Sequence, residues 1–179
     1  MNSIKNTVSD PSPILAFVDA ATRVGWVYEP TYLGEGQSRE ENPRALSFGG
    51  SIYPTIKTPC GVVKIALDSI PYYYHDGRVW RGCFTQIRHD MVVLAAIVVD
   101  GSRRRNGIAT EAMKQFISVA DEAGFDIELE ACPMPAFKAK GHRTIGFRKL
   151  RDWYKSLGFV AKFPSEGESI LVRNKEERK

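Results

Sequence analysis

Arg103, Arg104, Arg105, Asn106 and Gly107 crowd into one turn, Asp100-Gly-Ser-Arg-Arg-Arg-Asn-Gly107, followed at once by Ile108, Ala109 and Thr110. These residue types in this order can hold an anion. The guanidiniums supply charge, Gly107 and Ala109 lack the bulk that would keep an oxyanion from the main chain, and Thr110 adds a hydroxyl. If a helix begins at Ile108, its first-turn N–H groups and about half a positive charge point at the same place. A phosphate or pyrophosphate is the ligand such a turn suits. The turn has neither the G-x-x-x-x-G-K-[ST] spacing of a P-loop nor the G-x-G-x-x-G spacing of a dinucleotide fingerprint.

The flanking segments supply the strand and helix that such a turn needs. Met91 to Val99 is an unbroken apolar run, rich in β-branched residues and far too short to cross a bilayer. A strand apolar on both faces belongs in the middle of a covered sheet. After the turn the period changes: Ile108, Ala112, Met113, Phe116, Ile117 and Ala120 share one helical face, Glu111, Lys114, Ser118, Asp121 and Glu122 the other, and Gly124 is placed to end the helix. Asp126 to Cys132 then alternates Ile127, Leu129 and Ala131 against acidic neighbours. A strand reached through a helix in this way is expected parallel to the apolar strand, with its acidic side toward a cleft or solvent.

The chain has 179 residues and a formal net charge of +4. That length suits one domain with a real core, and the mild basicity permits an anionic ligand without requiring nucleic acid. Residues 1–11 are expected as a flexible arm without an apolar signal core, 12–173 as a single domain, and 174–179 as a charged tail. Cys60, Cys83 and Cys132 are odd in number and widely spaced, which reads as reduced cytoplasmic thiols rather than a disulfide frame or zinc site. No metal is implied, and no segment spans a membrane.

Ser12-Pro13 opens a helix whose face is Ile14, Leu15, Phe17, Val18, Ala21 and Val24, closed by Gly25. Residues 26–59 carry too many glycines and prolines for any period and are expected as a loop or lid insertion, with Tyr28, Tyr32, Glu40, Glu41, Phe48 and Tyr53 available to line an acceptor pocket, or as a surface insertion with short strands. Val63, Ile65 and Leu67 mark a strand. Tyr72 to His75 and Val79 to Ile87 read as a hairpin about Asp76-Gly77, an antiparallel run feeding the apolar strand. Pro133 to Gly146 is a basic loop. Phe147, Leu150, Trp153, Tyr154 and Leu157 form a helical stripe ended by Gly158, and residues 159–163 and 169–173 a closing hairpin.

Arg104-Arg-Asn-Gly107-Ile-Ala109 fits [RQ]-x-x-G-x-[GA], and Trp153-Tyr-Lys-Ser-Leu-Gly-Phe159 is a tyrosine-bearing helix end closing on Gly-Phe. In that order, with a strand between them, the two segments resemble the signatures of the GNAT superfamily, the acyl-CoA-dependent N-acetyltransferases. The resemblance covers about residues 60–173. It implies an α/β (α+β) fold: a mixed, mostly antiparallel twisted sheet flanked by helices and splayed between two central parallel strands. It further implies acetyl-CoA as co-substrate, lying in the splay. Backbone groups of Ile97, Val98 and Val99 would meet the pantetheine arm. The N–H groups of Arg104, Arg105, Asn106, Gly107, Ile108 and Ala109, with the Thr110 hydroxyl, would hold the pyrophosphate, and Arg103 or Arg105 the 3′-phosphate. Tyr154 would supply a proton to the leaving thiolate.

The resemblance does not identify a general base; Glu128, Glu130, His75, His89, Asp90 and His142 stand as candidates. Phe147 and Leu150 occupy positions where the family often has asparagine and alanine, and the loop 133–146 is longer than usual, so the acceptor side departs from the pattern. The first expectation is acetyl transfer to a primary amine of a small molecule or protein. Two alternatives stay open. One is an acetyltransferase acting on nucleic acid (an aminoacyl-tRNA toxin or a base modifier), motivated by Lys138, Lys140, Arg143, Arg148, Lys149 and Arg151. The other is a non-catalytic CoA-binding module. A homodimer also stays open.

Overall fold

The computed structural model describes residues 12–29, 46–48, 51–68, 72–75, 78–81, 88–99, 106–133, 145–164 and 168–175. In chain order the elements are α1 (Ser12–Arg23), β1 (Val27–Glu29), β2 (Leu46–Phe48), β3 (Ser51–Tyr53), β4 (Thr55–Lys57), β5 (Val63–Asp68), β6 (Tyr72–His75), β7 (Arg78–Arg81), β8 (Met91–Val99), α2 (Ile108–Ala123), β9 (Asp126–Glu130), α3 (Phe147–Ser156), β10 (Val160–Ala161) and β11 (Ile170–Arg173).

The apolar run from Met91 forms β8, the middle strand of a seven-stranded sheet ordered β1-β4-β5-β8-β9-β11-β10. Every pairing in that sheet is antiparallel except β8 with β9, which run parallel with α2 between them. The alternation of side chains splits the sheet into two faces. Ile56, Val63, Ile65, Leu67, Val92, Leu94, Ile127, Leu129 and Leu171 join the helices in one core around Phe17, Phe116 and Phe159. On the other face Met91, Val93 and Ile170 form a smaller cluster with Phe163.

All three glycines placed to end helices lie in the left-handed region that favours glycine, Gly158 with φ 89°. Gly25 has φ 90°. Gly124 has φ 77°, and its N–H turns back to the carbonyls of Ala120 and Asp121. Helix α1 buries Ile14, Phe17, Val18 and Ala21, but Leu15 and Val24, expected on that face, point outward at 46% and 52% exposure.

Three further expectations need correction. Within 26–59, β1 and β4 are edge-side strands of the main sheet, with Tyr28 opposite Ile56 and Ile56 opposite Ile65. Three residues each are too few to show a period. Residues 30–45, with Tyr32, Glu40 and Glu41, lie outside the described residues. The hairpin is real, Tyr72 opposite Arg81, yet it forms its own two-stranded ladder; β8 pairs instead with β5. Its turn at Asp76-Gly77 and residues 82–87 also lie outside the described set. Finally, Phe147 is exposed at 40%, so the stripe on α3 begins at Leu150.

Candidate active site

Pairing along β8 changes part-way. Met91 to Leu94 match Asp126 to Leu129 in parallel register, and the register ends there. On its other edge β8 stays paired with β5 as far as Val99, but the register slips: Leu67 faces Leu94 and Ala66 faces Ala96. Ala95 is the extra residue, and a bulge bends and twists the strand that carries it. Met91 to Leu94 are all buried, whereas Ala95, Ile97, Val98 and Val99 are half-buried. The parallel register thus ends at Leu94, just before the bulge and one residue short of the end of β9, and β8 runs on to Val99 paired with β5.

After β8, the described chain resumes at Asn106 and the start of α2. Gly107 caps the helix with φ 74° and no side-chain cap bond. The N–H groups of Thr110 and Glu111 both turn back to the Gly107 carbonyl, at 2.9 and 3.1 Å. Those of Ile108 and Ala109 belong to the group a helix start leaves without intrahelical partners. A β-carbon placed on Gly107 would meet nothing within 4 Å, so there is open space against the backbone. Asn106 and Gly107 are exposed, and Ile108, Ala109 and Thr110 half-buried. Arg103, Arg104 and Arg105 lie outside the described residues. A separate groove of about 530 Å³ on the flank of α2, between Trp26, Pro59, Gln115 and Val119, shares Asn106 and Ile108 with this site but touches neither β9 nor α3.

Tyr154 is on α3, 3% exposed, within the main core. Its ring packs against Trp153 at 4.6 Å between centroids and edge-on to Phe159 at 5.6 Å. Burial pushes its phenol well above the usual value of 10, so the proton is retained at neutral pH. The sequence gives no hint of the bond that follows: the Trp153 indole Nε1–H donates to Thr110 Oγ1 at 3.0 Å. It ties the tyrosine-bearing helix to the first turn of α2, joining two residues that the motifs treat separately.

The acidic side of β9, expected toward a cleft or solvent, is mixed: Glu130 is exposed, but Asp126 and Glu128 are buried. Glu128 is 1% exposed, with Lys162 Nζ at 2.6 Å. Asp126 accepts from Arg88 and, at 2.8 Å, from the Lys175 amide. A carboxylate leaves water at a cost of several kcal/mol unless it is paired and hydrogen-bonded, which is why both meet cations. Asp90 is bonded to Arg88 at 3.0 and 3.1 Å and to Lys175 at 3.1 Å. These bonds lower its carboxyl to about 2, too weak a base for an ammonium. Of the remaining base candidates Glu130 and His89 are exposed, and the side chains of His75 and His142 lie outside the described residues. Among the described residues no group of three His, Cys, Asp or Glu side chains is placed to hold a metal ion, and no helix is long and apolar enough to cross a membrane.

No protein-family model matches the sequence, and no curated protein matches it. Solved structures are similar at low identity. A mutant of the toxin AtaT bound to the C-terminus of the antitoxin AtaR and acetyl-CoA shares 14% identity at TM-score 0.41, over 69% of this chain and 67% of that one. A GNAT family N-acetyltransferase, YhbS from Escherichia coli, in complex with CoA shares 14% at TM-score 0.38, over 69% of this chain and 58% of its own. Ard1 from Thermoplasma volcanium shares 14% at TM-score 0.35, over 86% and 99%. The chain thus spans 58% of the length of YhbS, and at these scores the likeness carries no weight for activity. What stands on this molecule's own topology is the fold class: a mixed, mostly antiparallel sheet whose one parallel pair is joined through a glycine-capped helix.

Proposed function

We propose that the chain is an N-acetyltransferase that moves an acetyl group from acetyl-CoA to a primary amine of a small molecule or protein, by direct attack in a ternary complex. The observation that carries this is the end of the β8–β9 pairing at Leu94 together with the start of α2, which is capped by Gly107 without a side-chain cap bond. A peptide-like pantetheine arm suits the peptide groups of Ile97, Val98 and Val99, and a pyrophosphate suits the first-turn N–H groups from Gly107 onward with Thr110. Arg104, Arg105 and Asn106 add charge and donors at the same end.

In the transfer the amine nitrogen attacks the thioester carbon, a C–N bond forms, and the C–S bond breaks to release the CoA thiolate. A phenol held as high as that of Tyr154 stabilises the departing thiolate by donating a hydrogen bond while keeping its proton; the proton that the nitrogen sheds as the amide forms passes to solvent, from which the released thiolate is protonated. Among the described residues Cys60 and Cys132 form no disulfide, and a cytoplasmic setting is part of the proposal. Of the basic run, Arg151 is engaged by Glu168 and Asp152. Lys138, Lys140 and Arg143 lie outside the described residues, and among the described ones nothing favours nucleic acid over an amine acceptor.

Titration calorimetry with acetyl-CoA tests the donor site. Gly107→Glu is expected to weaken binding at least 100-fold, because it puts a carboxylate where the phosphate belongs. Gly107→Asn tolerates the left-handed backbone and separates backbone strain from charge. Tyr154→Phe should bind acetyl-CoA as the native chain does but release thiol on an amine panel about 100-fold more slowly. Native-like binding by Gly107→Glu would remove the proposal.

A further inference from the structure

We infer that Trp153 is a positioning residue for the donor site: its indole N–H fixes the Thr110 hydroxyl as a hydrogen-bond donor to the phosphate. This rests on the acetyl-CoA reading above. An indole N–H donates and cannot accept, so in the 3.0 Å bond Thr110 Oγ1 is the acceptor. The hydroxyl proton must therefore go elsewhere, and among the described residues it has no acceptor. Left alone, a threonine in the first turn of a helix turns its hydroxyl to a carbonyl three or four residues back, which here would be Gly107 or Asn106. The indole occupies the oxygen from the side of α3 and competes with that rotation. The proton is then left for an acceptor beside the N–H groups of Ile108 and Ala109, where a pyrophosphate oxygen belongs. Because Trp153 also stacks on Tyr154, filling the phosphate site tightens the contact that sets the acid-bearing helix.

The pairing gives a test that packing alone cannot mimic. Acetyl-CoA affinity is measured by calorimetry for the native chain, Thr110→Val, Trp153→Phe and the double variant, with thermal unfolding to establish that each is folded. Thr110→Val is expected to weaken binding about tenfold and Trp153→Phe about fivefold, each loss being that of one hydrogen bond to a charged group. The double variant should be no weaker than Thr110→Val, since Trp153 acts through the hydroxyl. Thr110→Ser should stay within about twofold of native. The inference is overturned if Trp153→Phe binds as native does, or if the two losses multiply to about fiftyfold.

A second measurement needs no change at Trp153. In an indole ¹⁵N–¹H spectrum of the native chain, acetyl-CoA should shift the Trp153 resonance, and the shift should vanish in Thr110→Val. An unmoved indole at saturating acetyl-CoA overturns the inference. Absence of any binding by the folded native chain would instead sink the acetyl-CoA reading itself, and the inference with it.

Discussion

The two ends of β8 are built from the same kind of residue and behave differently. At one end Met91 to Leu94 are buried and in register with β9, and Val93 and Leu94 are paired with β5 as well. The start of β8 is riveted to the start of β9 by Arg88, Asp90, Asp126 and Lys175, with the Asp126 amide donating to the Asp90 carbonyl at 2.7 Å. At the other end Ala95 to Val99 are as apolar as their neighbours, yet β9 has left them. Composition therefore does not decide where the sheet opens. The one extra residue on β8 lies where the pairing with β9 ends, and the charge cluster joins the two strands at the other end.

Deleting Ala95 is the strongest way to break this contrast. Removal leaves Leu94 and Ala96 opposite Leu67 and Ala66 without the slip, so the β5 pairings survive while β8 straightens. Acetyl-CoA affinity, followed by calorimetry, should fall at least 100-fold while a cooperative unfolding transition is kept; unchanged affinity would show that the bulge does not make the opening.

The next contrast is in packing. Leu129→Ala, at the fully buried end, should cost about 3 kcal/mol in urea unfolding, and Ile97→Ala, on the half-buried edge, about 1 kcal/mol. Equal costs would mean that the two ends are equally part of the core.

The smallest effect is electrostatic. Asp90 is lowered from 3.8 to about 2 by its bonds to Arg88 and Lys175. A depressed carboxyl contributes stability that is complete above its unfolded value, near pH 4, and is lost as pH falls toward 2. Asp90 is 44% exposed, so solvent screens the pair and the gain is modest. The difference in thermal midpoint between native and Asp90→Asn should be constant above pH 5 and vanish by about pH 2. A difference that grew on acidification would reverse the assignment.

Much of this was readable in the residues because the signals were local. An apolar run, a period of 3.6 and a glycine at Gly124 lie within about 35 residues and describe β8, α2 and the turn between them. What stayed hidden depends on partners distant in sequence. The alternation in Asp126 to Glu130 correctly marks a strand, but nothing local says that Glu128 is buried against Lys162, 34 residues on. The Trp153–Thr110 bond spans 43 residues; a tryptophan beside a tyrosine on an apolar stripe reads only as packing. The strands β1 and β4 escaped because three residues carry no period. The left-handed Gly107 was marked by its motif, while the bulge at Ala95 had no mark at all: in a run of nine apolar residues, no residue type distinguishes the odd one.

The strand order has a consequence for synthesis. β11, the last of the described strands in sequence, lies between β9 and β10 and pairs with β9 from Ile127 to Glu130. Until β11 leaves the ribosome, β9 has an unpaired edge and α2 lacks the bidentate clasp of Arg173 on Asp121, at 2.6 and 2.9 Å. The nascent chain thus carries one wall of its cleft as a bare strand edge, the kind of surface to which other chains add, until nearly all of the domain has emerged.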